Sequence, residues 1–265
     1  MRKLDATRLD RAGLNLQAVF DLDRLPAPLA ADLRARFDPA RRYRQLILIG
    51  HAGRTLWSAL QAEGASGPAT DDPIDDFSVR TVERWLAEQF AGEETEATRA
   101  PEEAGRKEEH GAGGEADAAD AAPRHAIIYP GEHAVGLQAL GKLAGWHRPS
   151  PLMIGIDERW GTWFAYRVAL LADIDLEPTA PVRGASPCAR CAERFCAAAC
   201  PAGALDGAAF ALDKCVAWRK RPDSPCRTTC LARLACPVGA EHRYEEAQIR
   251  HTYSRSLQAI ERYCP

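Results

Sequence analysis

The hydrophobic residues of this chain fall into short blocks whose periods differ, and each change of period marks an element. Residues 1–13 read as a short helix. Residues 14–20 (Leu-Asn-Leu-Gln-Ala-Val-Phe) alternate well enough for a strand. Pro26 and Pro28 then introduce a helix to about Phe37, since proline's fixed φ and missing N–H suit a first turn. Residues 45–50 (Gln-Leu-Ile-Leu-Ile-Gly) are almost continuously apolar, which predicts a buried strand. Across residues 78–90, Val79, Val82, Trp85, Leu86 and Phe90 share one helical face and are read as core. Strands follow at 125–129, 152–156 and 163–173, with a helix at 131–143 carrying Val135, Leu137, Leu140 and Leu143. Near the end, Tyr244, Ile249, Tyr253, Leu257 and Ile260 keep helical spacing through 241–263, a helix that packs back on the body.

This order lacks regular β-α-β alternation. It predicts an α+β fold with a mixed, largely antiparallel sheet. Pro178, Pro181 and Pro187 make residues 178–187 an extended linker. The chain therefore divides into an α+β domain over 1–177 and a smaller domain over 178–265, within a length of 265 residues that suits one or two domains. Residues 92–123 contain no Val, Ile, Leu, Met, Cys or aromatic side chain. They cannot bury enough surface to offset ordering entropy and are expected to be a disordered acidic insertion.

That insertion changes the meaning of the net charge of −3. It carries ten Asp and Glu against three Arg and Lys, a net of −7, which leaves +4 on the remainder. The positive charge gathers near the cysteines, at Arg190, Arg194, Lys214, Arg219, Lys220, Arg221, Arg227 and Arg233. Such charge can offset an anionic metal cluster. Modest net charge and the absence of interleaved aromatics argue against a nucleic-acid face. The longest apolar stretch, 163–172, is broken by Arg167 and too short to span a bilayer, and no signal peptide is visible at the start. A cytoplasmic, membrane-free protein is expected, and nine cysteines in a reducing compartment point to metal rather than disulfides.

Eight of those cysteines lie between Cys188 and Pro237 in two runs. The first is Cys188-x2-Cys191-x4-Cys196-x3-Cys200-Pro201; the second is Cys215-x10-Cys226-x3-Cys230-x5-Cys236-Pro237. Two-cluster ferredoxins carry C-x2-C-x2-C-x3-C-P twice, and the fourth cysteine of each run crosses to the other cluster. By that rule Cys188, Cys191, Cys196 and Cys236 bind one [4Fe–4S] cluster, and Cys200, Cys215, Cys226 and Cys230 bind the other. Four-thiolate sets also suit structural zinc, and the widened gaps keep that alternative open. Cys264 is left as a free thiol.

Ala144-Gly145-Trp146, Leu152-Met153-Ile154 and Gly161-Thr162-Trp163-Phe164 precede the cysteine runs in that order, and Leu212-Asp213-Lys214-Cys215 enters the second run. In these motifs the chain, over about residues 14–237, resembles the epoxyqueuosine reductase family. The resemblance implies a nitroreductase-like N-terminal domain with a pocket for cobalamin or flavin, followed by a ferredoxin-like domain with two [4Fe–4S] clusters. It implies that Trp146, Trp163 and Phe164 wall that pocket. The family's catalytic Asp falls near Gly131, which makes the adjacent Glu132 the candidate proton donor; a glutamate at a helix start is the structural alternative. The family's basic residue falls near Pro149, beside Arg148. His133 and His147 become candidates for an axial ligand or proton relay, with structural histidines as the alternative.

The family's C-terminal helical-repeat region has no counterpart here, so reduction of an epoxide on tRNA itself is not expected. The expected activity is an iron–sulfur reductase that takes electrons from an external donor. Its substrate would be a small molecule or a modified nucleoside. A non-catalytic electron-transfer protein and a zinc-stabilised structural module are the alternatives.

Overall fold

Every residue of β2 (Gln45–Ala52) is buried, and the reason is the sheet it enters. In the computed structural model, which describes residues 1–64, 72–99, 124–207 and 209–264, β1 (Leu16–Asp21) and β4 (Phe164–Ala172) flank β2. β3 (His125–Tyr129) lies outside β4, giving the order β1-β2-β4-β3. All three pairings are antiparallel. Alternate side chains then point to opposite faces. Ile47, Ile49, Val168 and Leu170 meet one helical layer: Leu9 of α1 (Thr7–Arg11), Leu56 of α3 (Thr55–Glu63), and Phe77, Trp85 and Leu86 of α4 (Pro73–Arg99). Leu46, Leu48, Ala169 and Leu171 meet the other: Leu33 of α2 (Ala27–Phe37), and Leu140 and Ala144 of α5 (Leu137–Ala144). The fold is thus α+β, an antiparallel sheet covered on both faces. Gln45 interrupts the apolar run at no cost, because its amide bonds both ways to the backbone of Leu176, at 2.6 and 3.0 Å.

Several sequence expectations need correction. Residues 152–156 form no strand: they lie in a turn closed by Ser150, whose hydroxyl donates to Ile154 O at 2.6 Å and accepts from Leu152 N–H at 3.1 Å. Pro149 and Pro151 deny this segment the donors a strand requires. Only one bridge, between Arg148 and Ile156, remains. The helix expected over 131–143 starts later, at Leu137, and α3 was not foreseen. α4 runs eight residues into the segment expected to be disordered; the rest of that expectation, on 100–123, lies outside the described residues.

Residues 178–186 form no helix or strand and lie along the body. Thr179 and Val19 exchange two hydrogen bonds, and Val182 N–H donates to Ala144 O at 3.0 Å. Beyond them come α6 (Phe195–Ala198), α7 (Leu212–Lys220), α8 (Leu231–Leu234) and α9 (Glu246–Tyr263), separated by 3-10 turns at Pro187–Arg190, Pro225–Arg227 and Ala240–His242. Among the described residues no helix is long and apolar enough to cross a membrane.

The cysteine region docks on the open ends of β2 and β4. At the contact, Gly161 sits at φ +58°, and a Cβ there would lie 2.0 Å from Val238 O. Gly161→Ala adds both left-handed strain and a backbone clash. It is expected to lower stability by at least about 1–2 kcal/mol, read as a lower midpoint in urea denaturation of the intact chain.

Candidate functional site

Each half of the cysteine region uses the same local device. Ser186-Pro187-Cys188 and Ser224-Pro225-Cys226 both start a 3-10 turn, with proline in the first turn and the serine Oγ accepting from the cysteine N–H, at 3.3 and 3.2 Å. Each half ends on Cys-Pro-x-Gly-Ala, at Cys200–Ala204 and Cys236–Ala240. Gly203 and Gly239 both take positive φ, +59° and +65°. Between these marks lie α6 and α8, which pack on one another. The region is a doubled unit, a repeat readable in the sequence once the Ser-Pro-Cys and Cys-Pro-x-Gly-Ala marks are aligned.

Doubling brings the cysteines into two groups. Cys200, Cys215, Cys226 and Cys230 line one cavity of about 400 Å³, whose other walls are mainly apolar. Burial pushes the thiols of Cys188, Cys215, Cys230 and Cys236 above the ordinary range, and neighbouring thiols push them further. Those acting on Cys188 are Cys236, Cys196 and Cys191; those acting on Cys215 are Cys230, Cys200 and Cys226. All nine cysteines are free of disulfides. Among the described residues no three His, Cys, Asp or Glu side chains gather as ligands of a single metal ion. A cubane differs from a single ion in this respect, because each thiolate binds its own iron.

The walls of the 400 Å³ cavity suit an anionic occupant. Arg219 and Arg233 line it and are buried, yet neither has a carboxylate partner among the described residues. Arg219 donates to Cys226 O (3.0 Å), Tyr253 O (2.8 Å) and Ser256 Oγ (3.0 Å). Arg233 donates to Thr162 and lies over Trp163 at 4.2 Å and Tyr244 at 5.1 Å. Trp218 and Thr229 also line the cavity, and Trp218 Nε1 and Thr229 Oγ1 are buried without a hydrogen-bond partner. A buried cation without an anion is costly. A thiolate-bound cluster supplies the negative charge and sulfur acceptors that these groups lack, so the residues present fit it.

A second cavity, an open cleft of about 550 Å³, lies at the β3–β4 side of the sheet. Its volume is in the range of small-molecule sites. Tyr129, His147, Phe164, Tyr166 and Arg167 line it. His147 Nδ1 and the Tyr166 hydroxyl are 3.0 Å apart. Gly141 permits this, since a Cβ there would fall 1.9 Å from that hydroxyl. Burial raises the Tyr166 pKa strongly; burial and then Lys142 lower that of His147, so both are neutral near pH 7. Arg167 turns inward, donating to His51 Nδ1 at 3.0 Å and pairing with Asp75 at 3.4 Å. Ile154 lines both this cleft and the cysteine cavity and is itself partly exposed, so the two adjoin at the surface.

Of the residues singled out from the sequence, Phe164 lines the cleft. Trp146 packs in the core with α2 and α5. Trp163 faces the cysteine region, in a cluster with Tyr244 and Ile249. Glu132 is exposed and does not line the cleft, and His133 packs near Phe37. Arg148 is a staple: it pairs with Asp157 at 3.2 Å and donates to the carbonyls of Gly145, Val182 and Gly184. Two further histidines, His242 and His251, pack with tilted rings against Trp160 and Trp57. Sequence reasoning missed Tyr166, whose spacing marks only a strand; it placed Arg219 and Arg233 among eight charges near the cysteines without marking these two as buried.

No family model matches the chain, and no curated protein does. Solved structures similar to it include epoxyqueuosine reductase from Bacillus subtilis, 13% identical, covering 90% of this chain and 66% of that one at a TM-score of 0.46. The enzyme from Streptococcus thermophilus is 14% identical, covering 87% and 64% at 0.45. An epoxyqueuosine reductase with an epoxyqueuosine-modified tRNA-Tyr stem loop is 12% identical, covering 91% and 66% at 0.46. The chain spans about two thirds of the length of these proteins.

His51 supplies a test of the packing at this junction. It is fully buried, and burial, then Arg167 and Arg233, hold its pKa well below 6.5. The unfolded chain therefore binds a proton that the folded chain refuses, so stability falls as pH drops through about 6.5, by up to about 1.4 kcal/mol per pH unit for one proton. Urea midpoints at pH 7.5 and 5.5 are expected to differ more for the wild type than for His51→Gln.

Proposed function

We propose that the chain is an iron–sulfur reductase. The observation that carries this reading is the gathering of Cys200, Cys215, Cys226 and Cys230 around one cavity whose wall, at Ile154, is also the wall of the sheet-edge cleft. In this reading residues 178–265 form a two-cluster ferredoxin-like domain. Cys188, Cys191, Cys196 and Cys236 hold the first [4Fe–4S] cluster; Cys200, Cys215, Cys226 and Cys230 hold the second. When bound, the clusters supply single electrons taken from an external donor. Residues 1–177 form a nitroreductase-like domain that holds the acceptor, a cobalamin, a flavin or the substrate itself.

The chain's own residues have defined tasks. Phe164 and Tyr129 present flat apolar surface to a ring, Arg167 closes the inner end of the cleft, and Ile154 offers apolar surface to both cavities. Tyr166 and His147 are the proton-bearing pair within reach of a bound acceptor, a position Glu132 does not share. The exposure of Glu132 favours a second reading, in which the clusters transfer electrons to a docked partner and the cleft does no chemistry. Charge alone argued against nucleic acid, but one similar protein is seen with a modified tRNA stem loop, so an oligonucleotide with a modified base belongs among the acceptors tried.

Protein purified without oxygen is expected to contain iron and sulfide, to absorb broadly in the visible, and to lose about half of that absorbance in Cys215→Ala or in Cys191→Ala. Zinc without iron overturns the reading. Added cobalamin or flavin mononucleotide is expected to bind with a spectral change; intact clusters with no binding leave the electron-transfer reading in its place.

A further inference from the structure

The doubled unit invites comparison of its two quartets, and their surroundings differ. Arg219 and Arg233 are buried and line the cavity of Cys200, Cys215, Cys226 and Cys230, and Arg219 donates to Cys226 O at 3.0 Å. Of the arginines close in sequence to the first quartet, Arg190 spends its charge on a carboxylate and Arg194 lines an open cavity beside Cys188. Arg190 is 71% exposed and pairs with Glu158 at 3.0 Å, and Arg194 is exposed and donates to Leu205 O. The second quartet also has a hydroxyl-bearing ring, since Tyr253 lines the same cavity and Arg219 lies over its ring at 5.3 Å.

We propose that Arg219, Arg233 and the Tyr253 hydroxyl hold the cluster on Cys200, Cys215, Cys226 and Cys230 at a higher reduction potential than the cluster on Cys188, Cys191, Cys196 and Cys236. The inference rests on the proposed function, that both quartets carry iron–sulfur clusters. A cluster gains one negative charge when it takes an electron. Buried positive charge and hydrogen bonds to its sulfurs favour the reduced state, and they act strongly where water does not screen them. Guanidinium groups stay charged under all working conditions, so the bias is permanent. Neither arginine spends its charge on a carboxylate. An electron entering at the first quartet then settles at the second, beside Ile154 and the cleft. The three residues act through the cluster they surround and are positioning residues in this sense.

The test is a redox titration of the full-length, anaerobically reconstituted chain with dithionite, followed by electron paramagnetic resonance. Cys191→Ala and Cys215→Ala provide single-cluster references that assign each signal. Two midpoint potentials are expected, the higher belonging to the cluster that survives in Cys191→Ala. Tyr253→Phe removes one hydroxyl, and Arg219→Gln removes one charge while keeping an amide. Each is expected to lower the higher potential alone, changing its reduced-to-oxidised ratio at fixed poise by about tenfold, about 59 mV for one electron. The same effect from Tyr253→Phe, whose shape is conserved, excludes misfolding of Arg219→Gln as the cause. Equal potentials, no shift in either variant, or a shift confined to the other cluster overturns the inference with the proposed function intact. Absence of iron overturns both.

Discussion

A sheet buried on both faces has no free face for chemistry, and this constraint organises the molecule. β2 and β4 use their side chains on two cores, so only strand ends and the β3 edge are left to meet anything else. Both are used. The ends of β2 and β4 carry His51 and the 161–164 turn into contact with the cysteine region, while the β3–β4 side opens as the cleft. The general rule that sites form where a rigid scaffold runs out applies here directly.

The junction itself is an unusual mixture of aromatic rings and cations. Trp163, Tyr244 and Tyr253 pack with Arg233, and His51 stacks on Tyr244 at 5.2 Å while accepting from Arg167. Rings accept a guanidinium on their faces without demanding a counter-ion. They let the interface bury positive charge and still pack as a core. A leucine-lined interface would have been drier but could not have carried charge toward the cysteines.

Where the sequence could be read, one physical signal dominated. β2, β4 and α4 are long and strongly patterned, and the Cys-Pro punctuation marked the two halves of the cysteine region. The failures share a cause: periodicity reports that a side chain is buried, not what buries it. Leu152, Met153 and Ile154 look like a strand because they are apolar, yet they wall the cysteine cavity. Trp163 looks like a cofactor-site aromatic but serves the interface, and α3 went unseen because only Leu56 of its length is fully buried. The start of the acidic segment was misjudged because Glu, Ala and Arg cannot build a core but are good helix formers, so α4 continues through them. Arg219 and Arg233 were read as cations near the cysteines together with six others; only the fold shows that these two turn inward.

The Ser-Pro-Cys turns and Cys-Pro-x-Gly-Ala endings repeat faithfully, while the stretch between them does not: the first half keeps Cys191 within its own run, and the second draws Cys215 from α7, eleven positions upstream of Cys226. A ligand borrowed from a separate helix ties one quartet to whatever α7 touches, including α9. The duplicated frame therefore leaves its two cysteine groups in different mechanical settings. Cys236 of the second half lies beside Cys188 of the first, while Cys215 ties its own group to the C-terminal helix through α7.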